Sequence, residues 1–406
     1  MQKIVSLLIL PVSAFILFSC SPGTATLALI PSASPVVITP TPAVMACTLL
    51  HFPATPEALG AEFGDRGHIA GLANAPVTIV VFGDYQCPAC AYLAVSLKQI
   101  RLTHATDVRL IYINTPISGH DKDAFATQAV EAADLQGKFW EMHDLLFEKL
   151  TEWSALTPAA FETWAVQQAA GLGMLPDQFQ QDFEGKMVAD RLQRTVQSSA
   201  SQPISPPILF VNSTSPYDGL ADFASLDTVV RMEALSARQF NNCPLWVIDP
   251  LKQYMATLHS AKGDVVIQLF PDKAPLAVNN FVYLAQKGWY DNITFYKMLP
   301  DSLVMTGDPS ETGMGNPGYL FNTEISKSLL FDQPGLVAMD NSGPDTNGSR
   351  FLITLAPAAQ LYGQYTIIGK VLSGMDVLAC LMPRNTVPGV YLPPGDTLIN
   401  VSIQER

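Results

Sequence analysis

Val77-Thr78-Ile79-Val80-Val81-Phe82-Gly83-Asp84-Tyr85-Gln86-Cys87-Pro88-Ala89-Cys90 decides how the first half of the chain folds. Its first six residues form a β-branched, apolar run of the kind found in a strand buried on both faces. Gly83 to Gln86 break that run, and Ala91 to Gln99 are helix-compatible. The predicted order is strand, Cys-x-x-Cys, helix. A thiol at a helix N-terminus meets unpaired N–H groups and the positive end of the helix dipole. Both stabilise a thiolate, so Cys87 is the expected nucleophile and leaving group. Cys90, one turn inward, is placed to attack a mixed disulfide and release the bound partner. A zinc half-site is the competing reading. Zinc takes four ligands, however, and no second close Cys or Cys/His pair stands nearby.

Three stretches share one pattern: Ala75-Pro76-Val77-Thr78-Ile79, Asp84 through Cys90, and Pro207-Ile208-Leu209-Phe210-Val211-Asn212. Together they resemble the thioredoxin superfamily, in its disulfide-oxidoreductase (DsbA-type) branch, over roughly Ala61 to Phe240. The resemblance implies an α/β thioredoxin-like fold with a helical insertion between its halves. Residues 123–199 fit the insertion, because Phe125–Ala133 and Phe139–Leu146 carry apolar residues at helical spacing. The resemblance also maps a cis-proline onto Pro207, where the backbone would pair with an extended substrate beside the cysteines. Pro206 stands where that branch usually has Thr or Val; lacking an N–H, it offers one hydrogen bond fewer. A rigid Pro206-Pro207 turn is the alternative. His120, in Ser118-Gly119-His120-Asp121, is as readily a surface loop residue and is left outside the expected site.

The second half reads differently. From Tyr254 the strands are short and the turns frequent, with Ala261-Lys262-Gly263 as a hairpin turn. Pro275 to Lys287 reads as a helix with Asn279, Asn280 and Gln286 facing out. This pattern predicts an antiparallel β-barrel with helices closing its ends. Phe295-Tyr296-Lys297-Met298-Leu299-Pro300, Gly307-Asp308-Pro309 and Gly343-Pro344-Asp345-Thr346-Asn347-Gly348-Ser349-Arg350-Phe351 resemble the cyclophilin family of peptidyl-prolyl isomerases, over Met255 to Gln404. Cyclophilins seat a proline ring in an apolar pocket and aim an Arg at the prolyl nitrogen, weakening the amide resonance that slows rotation. The resemblance places Lys297 at that catalytic position, where the planar donor fork of Arg is lost. Leu303, Met339, Asn341, Arg350 and Leu352 fall on substrate-binding positions. Ser302, Met305, Gln360 and Tyr365 also depart from the family pattern, and Asp340 replaces a small residue. Arg350 and Lys297 acting together are a candidate substitute for the missing guanidinium.

The N-terminus points to export. Lys3, an apolar run from Ile4 to Phe18 and Leu17-Phe18-Ser19-Cys20 resemble a bacterial lipoprotein signal, with lipidation at Cys20. An ordinary secretory signal is the alternative. The expected organisation is a signal at 1–19, a Pro/Thr/Ser-rich tether at 20–57, a thioredoxin-like domain at 58–240, a linker at 241–252 and a cyclophilin-like domain at 253–406. Cys47 and Cys243 bracket the first domain and could form a structural disulfide in an oxidising compartment. Two unrelated thiols, or a relay with Cys87, are the alternatives. Cys380 lies in an apolar run and reads as a buried, inert thiol.

The chain has 406 residues, 23 basic and 36 acidic, for a net charge of −13, which disfavours a nucleic-acid partner. No metal, nucleotide or organic cofactor is expected. The expectation is a folding factor of the bacterial cell envelope, lipid-anchored to a membrane. It would combine thiol-disulfide exchange with proline isomerisation, acting on unfolded or partly folded exported proteins and using a redox partner for its Cys pair. In the competing reading the barrel is a non-catalytic module that docks clients or a partner.

Overall fold

The computed structural model describes residues 43–50, 63, 67–200, 205–387 and 389–406. The signal, Cys20 and most of the tether expected from the sequence lie outside the described residues.

Strands β2 (His68–Ala70), β3 (Val77–Gly83), β4 (Val108–Asn114) and β5 (Ile208–Val211) form a sheet in the order β2-β4-β3-β5, and β1 (Thr48–Leu49) belongs to a separate two-stranded pair. β3 and β4 are parallel, and the outer pairings are antiparallel. A parallel pair needs a crossover, and α1 (Pro88–Thr103) supplies it. All seven residues of β3 are buried, which is why the strand reads as a continuous apolar run.

Between β4 and β5 the chain builds a helical layer: α2 (Asp123–Asp134), α3 (Phe139–Glu148), α4 (Leu150–Trp153), α5 (Pro158–Gly171), α6 (Pro176–Phe183) and α7 (Lys186–Ala200). Trp153, Phe161 and Phe179 fill its centre. After β5, α8 (Phe223–Leu235) starts at an Asp222 cap that accepts from the Ser225 N–H at 3.0 Å. It is tied to the end of α1 by His104 Nε2 and Asp227 Oδ1, 2.7 Å apart and both buried.

The second fold is a ten-stranded antiparallel ladder of β6 (Tyr254–Ser260), β7 (Gly263–Leu269), β8 (Ile293–Thr294), β9 (Lys297–Leu299), β10 (Leu303–Thr306), β12 (Leu336–Met339), β13 (Phe351–Thr354), β14 (Ile367–Ser373), β15 (Arg384–Asn385) and β16 (Thr397–Glu405). Its order is β15-β9-β10-β13-β12-β14-β7-β6-β16-β8. β8 and β9 stand near opposite ends of that order, yet only Phe295 and Tyr296 separate them in the chain. The sheet therefore has to curl until its ends approach, as strand twist permits. The result is a curled half-barrel; among the described residues the ladder does not hydrogen-bond full circle.

Helix α9 (Pro275–Gln286) packs on this sheet and corrects one expectation. Asn279 and Asn280 are fully buried. Asn279 accepts from the Val247 N–H at 2.7 Å and donates to the Leu245 carbonyl at 2.9 Å. Asn280 donates to the Gly348 carbonyl at 2.8 Å and accepts from the Tyr319 hydroxyl at 2.7 Å. Chain segments distant in sequence cross this face, and the two amides satisfy their backbone groups.

The end of the expected tether is also different. Met45 is 1% exposed and belongs to the core of the second fold. Its N–H donates to the Pro244 carbonyl at 2.7 Å, and β1 (Thr48–Leu49) pairs antiparallel with β11 (Tyr319–Leu320). Cys47 and Cys243 are joined by a disulfide, with Cα atoms 5.7 Å apart. Residues 43–50 and the linker thus flank the first domain from both ends and dock on the second. The described chain packs as one unit.

Candidate functional site

In the first fold, β3 delivers the chain to a fully buried Asp84. Its Oδ1 accepts from the Gln86 N–H at 2.7 Å and lies 2.8 Å from His120 Nδ1, while Oδ2 accepts from the Ile117 N–H at 2.7 Å. This turn places Cys87 at the N-cap of α1. The Cys90 N–H donates to Cys87 Sγ at 3.2 Å, and Pro88 occupies the first helical turn, where no donor is needed. The two thiols are unlinked and 5% and 3% exposed. Burial, then the hydrogen bond to Cys87, pushes the Cys90 thiol far up.

Behind the pair lie groups that sequence reading passed over. Asp123 is fully buried; burial, then the charge of Asp84, raises it to about 6. It accepts from the Tyr85 N–H at 2.7 Å and from Asn114 Nδ2 at 2.9 Å. The Tyr85 hydroxyl lies 3.0 Å from Nδ1 of His143, whose burial keeps its imidazole neutral. Asp84 stood inside the quoted stretch, whereas Asp123 was legible only as the start of a helix.

The register Phe82↔Ile208 brings the start of β5 beside the end of β3. Pro207, whose bond to Pro206 is cis, therefore lines the same apolar cavity as Ala89 and Tyr92. This cavity measures about 510 Å³, and Tyr92 at its edge is 66% exposed.

In the second fold, two registers, Met305↔Lys297 and Met305↔Leu352, align these residues across β9, β10 and β13. They line a cavity of about 380 Å³ together with Leu303, Asp340, Asn341, Arg350 and Tyr365. Met339 is a correction. It is fully buried and packs in the inner core, whereas Ala338 packs with Leu352 in a separate cluster. Successive strand residues face opposite ways, so Met339 is turned from the groove and Asp340 stands at its edge.

Arg350 is held on several sides: it donates to the Gly313 carbonyl and, at 3.0 Å, to Ser342 Oγ, while Nε lies 3.3 Å from Asp340 Oδ2. Burial raises Asp340, against the opposing pull of Arg350 and Lys297. Asn341 donates to the Gln364 carbonyl at 2.9 Å. Among the described residues, the Lys297 ammonium has no ion-pair or side-chain hydrogen-bond partner. Cys380 corrects another expectation: it is exposed, because the short helix α10 (Met375–Ala379) buries Leu378 instead.

Residues 254–388 match the family model for cyclophilin-type peptidyl-prolyl cis-trans isomerases. Peptidyl-prolyl cis-trans isomerase-like 1 of Emericella nidulans is 42% identical over 125 residues, which are 30% of this chain and 77% of that protein. The chain belongs to the cyclophilin-type isomerase family. An Arabidopsis thaliana peptidyl-prolyl cis-trans isomerase is 41% identical over 136 residues, covering 33% of this chain and 85% of the relative. Peptidyl-prolyl cis-trans isomerase B of Streptomyces anulatus is 37% identical over 171 residues, covering 38% and 98%. Residues 65–214 match a family model described as thioredoxin. The protein thus joins a thioredoxin-like region to a cyclophilin region. Among the described residues, the cyclophilin groove presents the unpaired Lys297 ammonium and a guanidinium, Arg350, already engaged by Asp340.

Proposed function

We propose that this protein is an exported folding factor that exchanges disulfides through Cys87 and Cys90 and isomerises proline bonds in its cyclophilin groove. The observation that carries the redox reading is the placement of Cys87: unlinked and at the N-terminus of the helix whose Ala89 and Tyr92 line an apolar cavity with Pro207. The Cys87 thiolate attacks one sulfur of a client disulfide. A mixed disulfide forms and one client thiolate leaves. Cys90, deprotonated, then attacks Cys87 Sγ; the Cys87–Cys90 bond forms and the second client thiolate leaves. The client is reduced and the pair oxidised, and the reverse sequence oxidises a client dithiol. Burial holds Cys90 protonated, so its proton must leave before the second step. The helical layer between β4 and β5 supports a DsbA-type assignment.

In the groove, the free Lys297 ammonium supplies the positive charge for the prolyl nitrogen, while Leu303 and Leu352 supply apolar wall. A second reading, in which the groove only docks clients, is favoured by one observation: Arg350 is already committed to Asp340, Ser342 and Gly313.

The Cys47–Cys243 bridge supports an oxidising compartment, and the Lys3, apolar-run and Cys20 pattern supports export and lipid anchoring to the bacterial envelope. The clients are unfolded exported proteins, with a redox partner resetting the Cys pair.

Thiol release from a disulfide-bonded peptide tests the exchange. With reduced glutathione supplied to reset the pair, wild type should turn over and Cys87→Ser should not; without added reductant, Cys90→Ser should accumulate a mixed disulfide. Equal turnover by Cys87→Ser would end the redox reading. Proline-peptide isomerisation unchanged in Lys297→Ala would end the assigned role of Lys297, and no isomerisation by wild type would leave the docking module.

A further inference from the structure

We infer that the thioredoxin-like domain braces one wall of the isomerase groove from behind, with Arg231 and Met232 of α8 as positioning residues for the loop between β10 and β11. The inference rests on the cyclophilin assignment and is independent of the redox reading.

The loop is gathered around Asp308, which is fully buried. Its Oδ1 accepts from the Ser310 N–H at 2.8 Å and from Ser310 Oγ at 2.6 Å. Its Oδ2 accepts from the N–H groups of Gly313 at 2.8 Å and Gly315 at 3.0 Å. Thr312, Gly313 and Met314 then line the groove, and the Gly313 carbonyl holds the Arg350 guanidinium. The position of this loop therefore fixes both the width of the groove and the placement of its guanidinium.

Asp308 does not act alone. Glu311 has φ +59°, a left-handed conformation that a Glu side chain rarely adopts without outside support. That support comes from α8. Met232 Sδ accepts from Thr312 Oγ1 at 3.3 Å and packs 3.6 Å from Ser310 Oγ, whose proton goes to Asp308. Arg231 Nη1 lies 3.6 Å from Glu311 Oε2, as does Arg384 Nη2. That oxygen is buried and accepts no hydrogen bond, so two guanidinium charges hold it. Arg231 is itself oriented by Asp227, whose Oδ2 accepts from Nε at 2.9 Å. Further along, Gln239 Nε2 donates to the Asn316 carbonyl at 3.0 Å and the Phe240 N–H to the Pro317 carbonyl at 2.9 Å. One domain thus braces the loop that shapes the active groove of the other.

A positioning role predicts a specific kinetic signature in the full chain. Met232→Ala and Arg231→Gln should each raise KM for a proline peptide about fivefold, with kcat within about twofold of wild type. Arg231→Lys, which keeps a cation facing Glu311, should recover most of the loss. Arg231→Gln combined with Glu311→Gln should be no worse than Glu311→Gln alone, because both remove one interaction. Should Met232→Ala fail to fold, the Arg231 series decides the matter. Unchanged KM in the soluble variants overturns the inference. So does a loss of activity that follows the folded fraction with KM unaltered, or strict additivity of the double variant.

Discussion

Lys297 and His68 show how single side chains set the properties of each domain. Lys297 keeps a positive charge in the groove but presents no planar fork. Lys297→Arg should therefore raise kcat/KM for a proline peptide about tenfold, a size typical of replacing a point charge by an aligned donor pair; steady-state peptide isomerisation checks this, and a rate no higher than wild type would show that the groove has been rebuilt around the ammonium. His68 lies 2.9 Å from Glu131 and 3.6 Å from Asp134, and Arg191 joins both carboxylates. Burial alone would lower its pKa, but its hydrogen bonds to Asp134 and Glu131, with their charges, raise it to about 9. A folded-state value above the unfolded one means stability that is fully present below about pH 6.5 and lost as pH rises through about 9. The loss should be on the order of 3 kcal/mol. Denaturant melts across pH 6 to 10 should show this decline, and His68→Gln should flatten it.

At the scale of elements, α8 touches both the end of α1 and the groove loop. Its start depends on the Asp222 carboxylate. Asp222→Ala should cost about 1 kcal/mol, the usual worth of such a cap, read from the shift in denaturation midpoint. The same scale shows what could be seen in the sequence. Strand, Cys pair and α1 were legible because their signals are local: a β-branched run, a break, a helix-compatible stretch. The helical layer was legible from apolar spacing. Asn279 and Asn280 were misjudged because their partners, Leu245, Val247, Gly348 and Tyr319, come from distant segments. Met339 was misplaced because one residue of strand register separates core from groove. Asp123, β1 and the brace on the groove loop had no local signature, since each takes its meaning from pairing across long sequence separations.

At the scale of the whole molecule, the disulfide between Cys47 and Cys243 closes a loop with a sequence separation of 196 residues around the thioredoxin-like domain. Chain-entropy arithmetic for such a loop gives roughly 5 kcal/mol. Cys47→Ser/Cys243→Ser should lower Tm, and wild type under reducing conditions should approach the double variant; equal melting of oxidised protein and variant would mean the bridge adds no stability. The pairing of β1 with β11 has a further consequence, for synthesis. Thr48 and Leu49 emerge early, but Tyr319 and Leu320 follow some 270 residues later. The thioredoxin-like region is completed between those two events. During synthesis it can fold as a unit while Met45 and its neighbours wait, bare and apolar, for a partner not yet made. A stalled or truncated chain ending before β11 would display that orphaned strand to chaperones and proteases, which turns late completion of the cyclophilin half into a checkpoint for the whole product.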